Sequence, residues 1–401
     1  MEYEDEDNSR LEMKNQIKQM IRQVFDLELA GHKDARELFK EEIAGMLIRT
    51  DDGSFTLFSE ERNNEEESLH SKYGAFSESY EKFANPSKLK EKSKSKFDIR
   101  VLDICSGIGY NASAIVDLLK DESIELEIDM VESSIETLAT TLFIPDLNEA
   151  HTYIKKYVEA YLIEKGYLQY NKVLSKIPSN LHINIHVVDA RDFIKNLSND
   201  MTYDAVFLDP FSPDKSPELY SVDFFKQISN HLENNGLILT YSAASAVRSA
   251  FVHAGLNIGE GPEFHRSGGT VASKDVNMIE KPLSFSDVKM IALSDVGIPY
   301  IDPDLNDDYD AIVNRRQEKR EKARFNYLFP SSSKLPLYLG VNPEEISDEN
   351  LRNKLNSYVQ QMGFTSLDDS RILAILDIDK TMPSKDQIIS LQKQLNDILG
   401  L

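Results

Sequence analysis

Between residues 99 and 255 the chain alternates between short apolar runs and stretches of helical pattern. The runs are IRVLDICSGIG, IELEIDMVESS, NLHINIHVVDARDFI, YDAVFLDPF and GLILTYSAAS. Short apolar runs bounded by turn residues read as buried strands. Strands separated by helices must pair in parallel, since a crossover is needed to bring the chain back to the same end of the sheet. The expected fold is therefore α/β, a mostly parallel sheet with helices on both faces. In such a sheet ligands bind beyond the carboxyl ends of the strands. Four of the runs place an acid there: Asp103, Glu132, Asp189 and Asp209.

The first strand end also carries Gly107 and Gly109, and a helix beginning near Asn111 follows at once. Glycine lets backbone approach a ligand closely, and a helix N-terminus favours an anionic group. No Lys follows, so this is not a phosphate loop of the Gly-Lys-Ser/Thr type. A third dinucleotide-type glycine would stand at residue 112, which is Ala112. Glu132 ends the next strand, where a carboxylate can accept from two ribose hydroxyls. Asp189, with Ala190 beside it, is placed to meet an adenine amino group. A pyrophosphate cofactor and S-adenosylmethionine both satisfy this arrangement. So does a tight turn with surface acids that only cap helices. The stretch LNIGEGPEFHRSGGTVASK reads as a terminal antiparallel pair. Such a reversal is typical of class I S-adenosylmethionine-dependent methyltransferases, which favours that cofactor and a Rossmann-like seven-stranded sheet. Cys105 sits in the same turn, where a small side chain fits.

Asp209 ends the fourth run and leads into PFSPDKSPELY. At that strand end a carboxylate faces the transferring methyl. It can hold an acceptor amine by a charge-assisted hydrogen bond and accept its proton. Pro210 and Pro213 restrict the loop, and Phe211 is placed to stack on a planar substrate. The plainer alternative is that Asp209 caps the next turn.

The run FLDPFSPDKSPELYSVDFF resembles the loop Leu-Asp-Gly-Phe-Ala-Pro-x-Lys-x-Pro-x-x-Trp of the MnmC methyltransferase family, keeping Asp209, Phe211, Pro213, Lys215 and Pro217. NGLILTYSAASAVRSAFVHAGLNI is similar to a second family run. TDDGSFTLFSE and HSKYGAFSESYEKF resemble the hairpin and helix that precede the core in stand-alone members. The resemblance covers about residues 45 to 275. It implies methylation of the exocyclic amine of 5-aminomethyl(-2-thio)uridine at the tRNA wobble position, with tRNA as partner. Asp209 would bind and deprotonate the amine. Asp103, Gly107, Gly109, Asn111, Glu132, Asp189 and Ala190 would bind the cofactor. Phe211, Lys215, His70, Gly74 and Glu78 would line the acceptor side, and Arg248 and Arg266 would help to hold a phosphate. Pro210 stands where the bacterial loop has Gly, and Tyr220 where it has Trp. No segment resembles the FAD-dependent oxidase half of the fused enzyme, so no flavin is expected. A small-molecule amine methyl- or aminopropyltransferase on the same fold is the alternative.

Composition narrows the setting. The 401 residues carry a formal net charge of -23 and one cysteine. That excludes an internal disulfide and a multi-cysteine metal site, argues against a general nucleic-acid surface, and fits a reducing, cytoplasmic compartment. The eight histidines show no ligand spacing, so no catalytic metal is expected. No apolar run is long enough to cross a membrane.

The domains expected are an N-terminal helix and hairpin segment (1–95), the Rossmann-like methyltransferase domain (96–275) with a helical insertion at about 145–176, an extension (276–340) and a small C-terminal helical region (341–401). Asn85 to Asp98 reads as a Lys- and Ser-rich linker. In the extension RRQEKREKAR, Arg315 to Arg324, is a basic helix. It is placed either to contact RNA phosphates or to lie solvated with Glu-to-Lys pairs such as Glu318 to Lys322.

Overall fold

A computed structural model describes residues 13–57, 59, 73–265 and 267–401. The N-terminal part comprises helices α1 (Asn15–Leu29) and α2 (Ala35–Met46), the two-residue strands β1 (Ile48–Arg49) and β2 (Phe55–Thr56), and helices α3 (Ala75–Ser79) and α4 (Leu89–Lys92). The Asp52-Gly53 turn joins β1 and β2 as an antiparallel pair.

The central sheet contains β3 (Asp98–Ile104), β4 (Glu125–Glu132), β5 (Leu181–Val187), β6 (Tyr203–Leu208), β7 (Leu232–Thr240), β8 (Asn257–Phe264) and β9 (Ser267–Ser273), in the order β5-β4-β3-β6-β7-β9-β8. The first five are parallel and β9 is antiparallel to both neighbours. Between the strands lie α5 (Tyr110–Leu119), α6 (Ile135–Thr140), α7 (Glu149–Glu164), α8 (Ala190–Asn196), α9 (Val222–Asn230) and α10 (Ser245–His253). The C-terminal part holds α11 (Phe285–Leu293), α12 (Tyr309–Ala323), α13 (Leu335–Tyr338), α14 (Glu349–Gln361), α15 (Ser370–Leu376) and α16 (Ser384–Leu399). Among the described residues no helix is long and apolar enough to cross a membrane.

Strand side chains alternate between faces, and this alternation divides the core in two. Val101, Ala205, Phe207, Leu237 and Leu239 join one cluster with α1, α5 and α7. Leu102, Val206, Leu208 and Ile238 join the other, with α9 to α11 and C-terminal residues such as Ile312, Leu355, Ile372 and Leu391. The N-terminal helices and the insertion thus cover one face, and the C-terminal part covers the other.

Two stretches differ from the sequence reading. The insertion is helical only from Glu149 to Glu164; Gly166, at φ 79°, turns the chain into an irregular segment. That segment is held by side chains: Glu28 accepts from the Gln169 amide at 2.9 Å, and Glu159 from the Lys172 amide at 2.7 Å. The stretch Asn85 to Asp98 is folded rather than a free linker. Lys92 and Lys96 reach the buried Asp204 carboxylate at 3.0 and 2.7 Å, and the Arg100 amide donates to the same group at 3.0 Å. A buried carboxylate requires such partners, and they dock the segment on the amino-terminal edge of the sheet.

Candidate active site

Register brings the acids together. Ile104 pairs with Val131 on one side and Leu208 on the other, so β3, β4 and β6 end at one level. Cys105, Glu132 and Asp209 follow directly, and the Asp209 amide donates to the Ile104 carbonyl at 3.2 Å. A cleft of about 780 Å³ opens there, lined by Glu132, Asp189, Ala190, Asp209, Phe211 and Glu218, with Val131, Val188, Leu219, Leu57 and Met13 as apolar walls. The described lining includes four carboxylates and no Lys or Arg.

The turn after β3 is strained in a specific way. Cys105, Gly107 and Gly109 have φ of 60°, 54° and 81°. A Cβ on Gly109 would also meet Ile154 Cγ2 at 2.6 Å, so α7 of the insertion packs directly on this turn. The Gly107 amide donates to Glu132 Oε2 at 3.0 Å, and the Ser134 amide to Glu132 Oε1 at 3.0 Å. Asp103 is fully buried, and neither of its oxygens makes a well-formed hydrogen bond. Its pKa is raised well above the carboxylate range, first by burial and then by the Asp209 charge; Asn111 beside it offsets only part. Asn111 Nδ2 donates to Asp209 Oδ2 at 3.0 Å, while its Oδ1 and Ser106 Oγ have no partner.

Asp189 caps α8 through the Arg191 amide at 2.7 Å and forms an ion pair with the Arg191 guanidinium at 3.0 Å. It lines the cleft, as expected, but is already paired with a cation that the sequence reading did not foresee. The acceptor loop is held on both sides. Tyr241 Oη donates to the Pro210 carbonyl at 2.9 Å, Tyr300 Oη to Asp214 Oδ1 at 3.0 Å, and Tyr309 Oη to the Asp214 carbonyl at 3.0 Å. Tyr220 is wholly buried behind the loop.

The weaker expectations fall elsewhere. Lys215 is buried and is not among the cleft's lining residues. Glu78 pairs with Lys82 at 3.1 Å, and the Lys82 ammonium lies over the Tyr241 ring, so both stand behind the acceptor loop. Gly74 begins α3 at φ 156°; a Cβ there would strike the Asp52 carboxylate at 2.5 Å. Burial opposes ionisation of Asp52, but hydrogen bonds from Ser54 and Ser77 hold its pKa at about 2. Arg248 is used internally: it donates to Thr270 Oγ1 at 3.2 Å and the Gly269 carbonyl at 3.3 Å, and pairs with Asp287 at 3.3 Å. His70 and Arg266 lie outside the described residues. His182 and His186 each face an acid of β4, Glu125 at 3.2 Å and Asp129 at 2.7 Å.

The sequence reading missed Glu218, Met13 and Leu57. Glu218 lies in the same loop as Asp209, and its neighbour Pro217 was read as part of the motif, so a signal existed. Nothing local marks Met13 or Leu57.

The family described as S-adenosyl-L-methionine-dependent methyltransferase matches residues 148–275. An uncharacterized protein of Methanocaldococcus jannaschii is 39% identical over 297 residues, 73% of this chain and 78% of that one. The solved structure of MnmC2 from Aquifex aeolicus is 30% identical, covers 69% of this chain and 85% of its own, and superposes with a TM-score of 0.57. The chain belongs to the MnmC-like methyltransferases. The Ralstonia nicotianae tRNA 5-methylaminomethyl-2-thiouridine biosynthesis bifunctional protein MnmC is 37% identical over 78 residues, 20% of this chain and 12% of that protein. This MnmC-like methyltransferase therefore spans a small part of the bifunctional relatives' length.

The residues present suit S-adenosylmethionine. Around the glycine turn, Asp103, Ser106 and Asn111 leave buried polar atoms without partners, as a polar ligand would require. The cleft offers carboxylates beside apolar walls, a donor set for a cationic ligand with an aromatic ring system.

Proposed function

We propose that this methyltransferase acts on a primary amine, the exocyclic amine of 5-aminomethyl(-2-thio)uridine at the tRNA wobble position. One observation carries the amine: the cleft is lined by four carboxylates and, among the described residues, no Lys or Arg. An alkylamine arrives as its ammonium ion, and carboxylates attract that cation and accept its proton. The MnmC relatives, named for tRNA 5-methylaminomethyl-2-thiouridine biosynthesis, support the tRNA reading.

In this reading Asp103, Gly107, Gly109, Asn111, Glu132, Asp189 and Ala190 hold the cofactor. S-adenosylmethionine, when bound, supplies an electrophilic methyl on a sulfonium centre. Asp209 would orient the amine and take its proton, leaving the nitrogen lone pair free for the methyl that the cofactor would supply. Asn111 holds the Asp209 carboxylate at 3.0 Å. Tyr241 and Tyr300 fix the loop that carries it. Fixed orientation supplies most of the rate effect in such displacements.

A second reading, a small cationic amine as acceptor, is favoured by the net charge of -23 and by the internal use of the arginines on α12. Labelled S-adenosylmethionine supplied with bulk tRNA and, in parallel, a polyamine panel separates the two. Label in tRNA is expected. Asp209→Ala should lower the rate about 10²- to 10⁴-fold while S-adenosylhomocysteine still binds. Label in a polyamine, or an Asp209→Ala enzyme of undiminished rate, overturns the proposal.

A further inference from the structure

Arg191 is 7% exposed and stands behind Asp189, a lining residue of the cleft. Its Nε and Nη2 face Asp189 Oδ2 at 3.3 and 3.0 Å. Its Nη1 turns the other way, donating to Asp302 Oδ2 at 2.9 Å and the Asp307 carbonyl at 2.8 Å. Asp302 is wholly buried and belongs to the C-terminal extension. Its other oxygen receives the Asn306 and Asp307 amides, both at 3.1 Å, and its own amide donates to Asp223 Oδ2 at 3.0 Å. A carboxylate held at that many points is a fixed anchor, and guanidinium–carboxylate pairs of this kind are directional.

We propose that Asp302 is a positioning residue for the cofactor: through Arg191 it fixes the Asp189 carboxylate at the cleft wall. The proposal rests on the reading that Asp189 holds the cofactor. Arg191 without Asp302 keeps only the Asp307 carbonyl on Nη1. Asp189 would then keep its cap on the Arg191 amide through Oδ1 but lose the fixed guanidinium that holds Oδ2. The extension, which lies outside residues 148–275 matched by the family model, becomes part of the cofactor site without touching the ligand.

The test uses full-length protein and S-adenosylhomocysteine binding by calorimetry, with thermal melting alongside. Asp302→Asn keeps an acceptor oxygen for the Asn306 and Asp307 amides and removes the charge facing Arg191. We expect affinity to fall about tenfold, the order of one charged hydrogen bond. In an Arg191→Met background the same substitution should change affinity less than twofold, because its effect passes through Arg191. Unchanged affinity in Asp302→Asn, with or without a lower melting temperature, overturns the proposal. So does an equal loss in the Arg191→Met background. Asp189→Ala distinguishes the layers. If it binds like the wild type, the reading of Asp189 fails and the proposal with it; if it weakens binding while Asp302→Asn does not, only the proposal fails.

Discussion

His151 lies on α7, wholly buried, with its ring 5.4 Å from that of Tyr110 and no well-formed hydrogen bond on either nitrogen. Burial, helped by the Lys155 ammonium, lowers its pKa to about 3. The unfolded chain takes up a proton near pH 6.5 and the folded chain does not, so stability present above pH 6.5 is lost as the pH falls toward 3. By pH 5 the loss from this group is about 2 kcal/mol. Urea denaturation at pH 7 and pH 5 should show a smaller fall for His151→Phe than for the wild type; equal falls would refute the assignment. Asp103 has the opposite shift and prefers its neutral form, so its burial costs stability as the pH rises. Both groups sit around the glycine turn, and in the proposed reading the cofactor site there comes at a cost in stability. The acids at the strand ends were legible because strand ends carry them in sequence order. The charge state of Asp103 was not, because it depends first on burial and then on Asp209, far away in the chain.

The basic helix α12 shows how composition misleads when partners are unknown. Arg315 donates to the Ile301 carbonyl and pairs with Asp307, both at 2.6 Å. Arg316 donates to the Ile298 carbonyl at 2.7 Å and lies over the Tyr300 ring. Arg320 pairs with Asp295 at 2.9 Å, and Arg324 reaches Ser332. Four arginines thus close the extension on itself and on the tyrosine that latches the acceptor loop. Arg320→Ala leaves the buried Asp295 without its charged partner and should destabilise by about 2 kcal/mol, less than a fully buried pair because Arg320 is partly exposed. Chemical denaturation reads this directly; a stability change below about 0.5 kcal/mol would mark Arg320 as an ordinary surface charge. The Lys-rich stretch before β3 follows the same logic, with Lys92 and Lys96 spent on Asp204.

For the molecule as a whole, the faces of the sheet are covered by segments distant in sequence, and buried ion pairs join them. Arg36 of α2 reaches Glu28 at 2.7 Å, Glu159 at 2.5 Å and the Tyr170 carbonyl at 2.5 Å. Both glutamates are fully buried. Arg36→Met should therefore cost about 3 kcal/mol, since it leaves Glu28 with backbone amides alone and Glu159 with Lys156 as its remaining cation. Hydrogen exchange should show lost protection in α1, α2 and residues 167–173 together. Loss confined to α2 would mean the network does not couple the N-terminal helices to the insertion. Met13 and Leu57 bring the same N-terminal part to the cleft wall, so its docking and the shape of the cleft are linked.

Local pattern was enough for the sheet, its helices, the reversed last strand and the acids at the strand ends. Apolar period, turn residues and strand termini are written within short windows, and backbone geometry turns each of them into structure directly. Which charges face one another could come only from the folded chain. Arg191 with Asp302, Lys92 and Lys96 with Asp204, and Arg320 with Asp295 pair across separations that no local window spans. Electrostatic partnership depends on distance in space and on burial, and the tertiary fold sets both.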